Sequence, residues 1–187
     1  MTRTVFDWRL SADEWREDDL LRRPEDGQRY ELVDSSLHVT PPAGFGHHEL
    51  ADEIRLALRA AAPPGWRVIR EIGLRVPAGN LIPDLTVLRP DAPADDLWAD
   101  PAQVALVVEV ESPGSRRHDR FTKPALYAEA GIESYWRIER IDLGPAAHLY
   151  QRAKIGHYEL VGSVGPADRF RVELPFAVTV TPADWTA

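Results

Sequence analysis

A chain of 187 residues with 44% hydrophobic and 28% charged content is long enough for one sizeable core and has the make-up of an ordinary globule. It has no cysteine, which excludes disulfides, zinc–thiolate sites and cysteine nucleophiles, and no apolar run approaches the roughly 20 residues that span a bilayer. A net charge of −8 argues against indiscriminate, tight nucleic-acid binding, yet Arg116, Arg117, Arg120 and Lys123 fall within eight residues of one another.

The start, Met1 to Trp8, lacks an apolar signal core, so a cytoplasmic protein with no membrane association is expected. Ser11-Ala12-Asp13-Glu14 has the form of a capping box and predicts a helix from Ala12 to about Leu21, broken over Pro24 to Gly27. Tyr30 to Val33 and Leu37 to Val39 read as strands around the polar turn Asp34-Ser35-Ser36. From Gly46 to Ala62, Leu50, Ile54, Ala57, Leu58 and Ala61 follow helical spacing, and Pro63-Pro64-Gly65 stops the helix.

Three strands are expected next: Trp66 to Val76, Leu81 to Leu88 and Gln103 to Glu111, with a surface loop over Arg89 to Pro101. Asp119 to Ala130 reads as a helix in which Pro124 is tolerable near the first turn, Gly131 caps it, and Ser134 to Ile138 is a further strand. Short strands at Ala147 to Gln151, Tyr158 to Val161, Phe170 to Glu173 and Ala177 to Val180 follow. The pattern predicts one α/β domain over 1–187: an N-terminal helical segment (1–29), a core (30–139) and a β-rich C-terminal extension (140–187).

Chemistry-bearing residues concentrate between Pro83 and Tyr127. Asp84 opens one apolar run and Glu109 ends another, and acids at the ends of buried strands are costly unless compensated. Two carboxylates converging with a lysine suit a divalent metal and a phosphate. Mg²⁺ needs only one or two carboxylates plus waters and substrate oxygens, and a nearby lysine stabilises charge developing on phosphorus. A Glu109–Lys123 salt bridge would account for both residues without a metal. His47-His48-Glu49 lacks the HExxH spacing of zinc proteases, and His48 reads as an exposed helix-start histidine. No Ser-His-Asp set, phosphate-binding loop or dinucleotide fingerprint is present.

The order helix, three strands, helix, strand resembles the core of the PD-(D/E)XK nuclease superfamily. Leu106 to Ser115 (LVVEVESPGS), then Asp119, Lys123, Tyr127, Ala130-Gly131-Ile132 and Tyr135-Trp136, are similar to a large bacterial family of restriction-endonuclease-like proteins. Tyr30 to Asp34, Thr40-Pro41-Pro42 and His47 match its N-terminal half. The resemblance implies a mixed central sheet flanked by helices, Asp84 and Glu109 as ligands of Mg²⁺ or Mn²⁺, and Lys123 as the catalytic lysine. It implies supporting roles for Glu31, His47 and Tyr127, an activated water as attacking group, and a homodimer acting on nucleic acid, with DNA expected.

Three departures stand out. Glu111 occupies the slot where the superfamily places its lysine, and strand alternation puts it on the face of Glu109. It would serve as an extra metal ligand or pair with Arg116 or Arg117. Ser35-Ser36 replaces a glycine turn, and Arg137-Ile138-Glu139 replaces a more apolar strand. Arg116, Arg117 and Arg120 are candidates for substrate phosphates or for a solvated, charge-balancing loop. The rival expectation is a catalytically inactive nuclease fold kept as a binding or oligomerisation module, which a Glu111–Lys123 pair would favour.

Overall fold

A computed structural model describes residues 15–153 and 156–185. The expected capping box at Ser11 to Glu14 lies outside them, and the helix of that region is seen as α1, Glu17–Leu20. Strands β1 (Arg29–Val33) and β2 (Ser36–Thr40) form a hairpin in which Glu31 pairs with His38. Its turn residues Asp34 and Ser35 have φ of +48° and +59°. That left-handed pair is the geometry a two-residue hairpin requires, and it explains a glycine preference at this turn.

Helix α2 (Phe45–Ala61) buries Leu50, Ala51, Ile54 and Leu58, the stripe set by its 3.6-residue period. Each large member contributes about 1.5–3 kcal/mol by leaving water. β3 (Arg67–Arg70), β4 (Gly73–Val76), β5 (Gly79–Leu81), β6 (Leu85–Leu88), β7 (Trp98–Ala99) and β8 (Val104–Val110) follow. After β8 come α3 (Lys123–Glu129), β9 (Ser134–Ile141), β10 (Gly144–Arg152), β11 (Tyr158–Val164), β12 (Phe170–Val172) and β13 (Val178–Val180).

The strands make a six-stranded sheet ordered β11-β10-β9-β8-β6-β3, a five-stranded sheet ordered β2-β1-β5-β4-β7, and the β12-β13 hairpin. The six-stranded sheet is mixed: β8 and β9 run parallel, its other pairs antiparallel. β8 is buried along its whole length. Leu106, Val108 and Val110 face α2, and Val107 faces the cluster that contains Leu126, Tyr127 and Tyr135. Alternation therefore turns Glu109 toward α3.

Two expected strands are each divided between the sheets. Trp66 to Val76 breaks at Glu71, whose φ is +52°, so β3 joins the six-stranded sheet and β4 the five-stranded one. Gly73 makes the second half possible, because a Cβ there would stand 2.2 Å from the Trp98 ring. Leu81 to Leu88 breaks at Ile82-Pro83-Asp84, where Pro83 has no N–H to continue a ladder. The expected loop from Arg89 to Pro101 hides the buried strand β7, which pairs in parallel with β4. The C-terminal strands β10 and β11 extend the six-stranded sheet, and Phe176, Val178, Val180 and Trp185 close over the α2 face.

The helix expected from Asp119 already starts at Arg116 and passes through a π turn, His118–Thr122, whose wide bond runs from Lys123 N–H to the His118 carbonyl. Pro124, the second residue of α3, follows that turn directly, and the Asp119 carbonyl takes the Tyr135 hydroxyl in place of the N–H that proline lacks. Asp119, Lys123 and Tyr127 come out buried along one side of the joined helix.

Candidate active site

A cleft of about 970 Å³ lies where the chain crosses between the two sheets. It is lined from β1 by Arg29 and Glu31, from the start of α2 by His47, and from the second crossing by Ile82 and Asp84. Glu109 to Ser115, Asp119 and Lys123 line its other wall.

Asp84 is 3% exposed and accepts hydrogen bonds on both oxygens: Oδ2 from the Val110 N–H at 2.8 Å, Oδ1 from Arg29 Nη2 at 2.9 Å. His47 Nε2 stands 3.3 Å from Oδ1, although neither ring nitrogen completes a hydrogen bond. Burial alone would raise the Asp84 pKa. His47, Arg29 and Lys123 reverse that and hold the carboxyl well below the usual aspartate range.

Glu109, 1% exposed, receives Lys123 Nζ at 3.0 Å and the Tyr127 hydroxyl at 2.6 Å, both on Oε1. Lys123 also lies 3.4 Å from Glu31 Oε1 and 3.8 Å from Asp119 Oδ1. Glu31 is fixed by the Ile82 N–H, which donates to Oε1 at 2.7 Å. Asp119 is clamped by the Ser115 hydroxyl on Oδ2 and by Tyr135, whose OH donates to the Asp119 carbonyl at 2.6 Å, while Oδ1 is buried without a hydrogen bond.

Four carboxylates (Glu31, Asp84, Glu109 and Asp119) therefore share two permanent cations, Lys123 and Arg29. The shortage shows in the titration. Burial pushes Glu109 up to about 8; Lys123 pulls the other way, but Asp84, Asp119 and Glu31 add to the burial. Burial likewise pushes Asp119 up to about 6. Lys123, whose charge burial opposes, is held protonated by the surrounding acids, Glu109 first. Burial also raises the Tyr127 hydroxyl well above an ordinary tyrosine, so it stays a donor.

Glu111 stands apart from this cluster. Arg120 grips it with two bonds, Nε to Oε1 at 2.6 Å and Nη2 to Oε2 at 2.9 Å, Arg137 bonds Oε1, and Arg116 lies 3.5 Å from Oε2. Arg120 and Arg137 also reach Glu139. Two departures from the expected pattern, Glu111 and Arg137-Ile138-Glu139, thus compensate each other. Glu111 pairs with arginines and leaves Lys123 to Glu109, Glu31 and Asp119. Of the three candidate phosphate-binding arginines, Arg116 lines the cleft, Arg120 is committed to two carboxylates, and Arg117 is exposed outside the lining.

Three residues of the site were given no role from the sequence: Arg29, which went unremarked, Asp119, which only matched the family pattern, and Arg137, which stood out only as a departure from it. Arg29 carried a local signal, since Arg29, Glu31 and Val33 share one face of β1. Asp119 and Lys123 are four apart on a helix, which was a second.

Among the described residues no three His, Cys, Asp or Glu side chains already form a metal cage. The donor set nevertheless fits a hard divalent ion. It offers oxygens in a cluster with two more carboxylates than permanent cations, and Asp119 Oδ1 and both His47 nitrogens are buried without a hydrogen bond.

The sequence profile of the Uma2 family, described as "Putative restriction endonuclease", matches residues 17–183. A crystal structure described as "a putative nuclease belonging to DUF820", from Anabaena variabilis, is similar with a TM-score of 0.70. The likeness spans 90% of this chain and 95% of that one at 16% identity, so it is a likeness of fold. No curated protein matches the sequence.

Proposed function

Because this chain belongs to the Uma2 family of restriction-endonuclease-like proteins, we propose that it is a divalent-metal-dependent endonuclease that hydrolyses phosphodiester bonds in DNA. One observation carries the reading: a buried lysine sits inside a cluster of four carboxylates that outnumber its cations, at the wall of an open cleft. A structural ion pair needs one partner for each charge. A surplus of buried carboxylate is stable only if protons or a cation make up the difference.

Asp84 and Glu109 would hold Mg²⁺ or Mn²⁺, Asp84 already ionised and Glu109 giving up its proton on binding. When bound, the ion supplies a Lewis acid that acidifies a water and draws charge from the phosphate. Lys123, kept charged by its acidic neighbours, faces the negative charge that develops on phosphorus. Tyr127 orients Glu109 through Oε1, and Glu31 positions Lys123 while anchoring the Ile82 N–H. His47 assists Asp84, and Arg116 is the arginine of its group best placed for a backbone phosphate. A cytoplasmic homodimer, one site per DNA strand, completes the reading; among the described residues no helix is long and apolar enough to cross a membrane.

The test is cleavage of supercoiled plasmid and single-stranded DNA with Mg²⁺ or Mn²⁺ by wild type, Asp84→Ala and Lys123→Ala. Metal-dependent cutting that both substitutions abolish is the expected result; cutting that survives Asp84→Ala overturns the assignment. One observation favours a second reading, a non-catalytic binding module: Asp84 and Glu109 are each already engaged by a protein cation. That reading predicts no cutting and a melting temperature indifferent to metal.

A further inference from the structure

Arg29 is the cation that this chemistry leaves without a task. It opens β1, two residues before Glu31, and its Nη2 forks between Asp84 Oδ1 at 2.9 Å and Glu71 Oε1 at 3.2 Å. Its side chain is 19% exposed, so it stands in the cleft wall and not sealed behind it. Since the Val110 N–H takes Asp84 Oδ2, Oδ1 is the oxygen through which Asp84 would meet an ion, and Arg29 stands on that oxygen.

The other arm of the fork is unusual as well. Glu71 is a non-glycine residue at φ +52°, at the kink where the chain leaves β3 for the other sheet. Such a conformation persists where the surroundings hold it, and it recurs at functional sites. Its side chain is 41% exposed, with His48 Nδ1 and Arg70 Nη2 each 3.9 Å from the same Oε1 that takes Arg29. Glu71 thus tethers the guanidinium from the solvent side.

We propose that Arg29 is a built-in substitute for the metal: it neutralises Asp84 until a divalent cation binds, then yields Oδ1 and, still tethered by Glu71, hands its guanidinium to a substrate phosphate oxygen. The inference rests on the metal-dependent nuclease reading and deepens it. A divalent ion and a guanidinium about 4 Å apart repel strongly even under generous screening, so the two do not share Oδ1. The planar fork of arginine fits carboxylate and phosphate alike, which lets it exchange one for the other without losing its bonds. A guanidinium that served only to hold the cleft together would show the opposite behaviour: removing it would loosen the site for every ligand.

Thermal-shift titrations with Mg²⁺ on the full chain separate the two. Arg29→Met is expected to melt lower without ion but to bind Mg²⁺ at least about tenfold tighter. Glu71→Gln, a change on an exposed side chain, is expected to weaken Mg²⁺ a few-fold (on the order of 3-fold), because the whole attraction of Arg29 then falls on Asp84. Anisotropy of a fluorescein-labelled DNA duplex in Ca²⁺ should show Arg29→Met binding DNA about tenfold more weakly. Unchanged or weaker Mg²⁺ affinity in Arg29→Met, with wild type binding normally, overturns the inference alone. Unchanged DNA affinity overturns its phosphate half. If Arg29→Met does not fold, equal or tighter Mg²⁺ binding by Glu71→Gln overturns it instead. No Mg²⁺ binding by wild type or any variant overturns the nuclease reading with it.

Discussion

Glu109→Gln should remove a pH dependence that the wild-type fold carries through this one side chain. An ordinary glutamate titrates near 4.5, whereas burial, reinforced by Asp84, Asp119 and Glu31, pushes Glu109 up to about 8. Between those values the folded state holds a proton that the unfolded state has released. The contribution to stability is complete below about 4.5 and is lost as pH rises through about 8, at about 1.4 kcal/mol per pH unit. Asp119, pushed up to about 6, adds the same sign at lower pH, and Asp84, shifted the other way, acts only in acid. Over the window from pH 6.5 to 7.5 Glu109 carries most of the slope: His148, held below its usual value by burial, adds a smaller change of opposite sign that wild type and variant share. At about 2–4 °C per kcal/mol for a chain of this size, the wild-type melting temperature should fall by about 3–6 °C across it. Differential scanning fluorimetry in EDTA reads this directly. Gln keeps an acceptor for Lys123 and Tyr127 but cannot titrate, so the variant should lose nearly all of that fall over the same unit. A flat wild-type curve, or an equal slope in the variant, would refute the account of a carboxyl held neutral by surplus negative charge.

Binding of Mg²⁺ near pH 7 should release close to one proton per ion, because the ion takes over the charge that the Glu109 proton balances; calorimetry in buffers of different ionisation heat measures it, and zero release counts against Glu109 as a ligand. Tyr127→Phe removes the 2.6 Å bond to Glu109 in a fully buried position and should cost about 1–2 kcal/mol in urea unfolding, and an unchanged midpoint would contradict the geometry. Glu111→Ala leaves Arg137, 8% exposed, without its nearest carboxylate and should cost about 3 kcal/mol or more while leaving Mg²⁺ affinity within a factor of about two. A loss of metal affinity there would make Glu111 a ligand after all.

What the chain alone determines is what periodicity and local chemistry encode. The stripe of Leu50, Ile54 and Leu58 defines α2, the apolar run ending at Glu109 defines β8, and the order of elements with its motif identifies the nuclease core. Those signals are local, and they place Glu109 in β8, Lys123 in α3 and Asp84 immediately ahead of β6. Only the tertiary structure decides which charge meets which. Trp66 to Val76 and Leu81 to Leu88 each read as one strand, because residue type does not reveal that Glu71 and Pro83 pass the chain between sheets. Those two crossings bring Glu71 and Asp84 to Arg29, 42 and 55 residues earlier in sequence. Strand order likewise sets Arg137 beside Glu109 in register, yet its guanidinium reaches past it to Glu111. The physical reason is that pairing between strands far apart in the chain is settled by which faces bury together, and a carboxylate's role follows from the cations that this pairing brings to it.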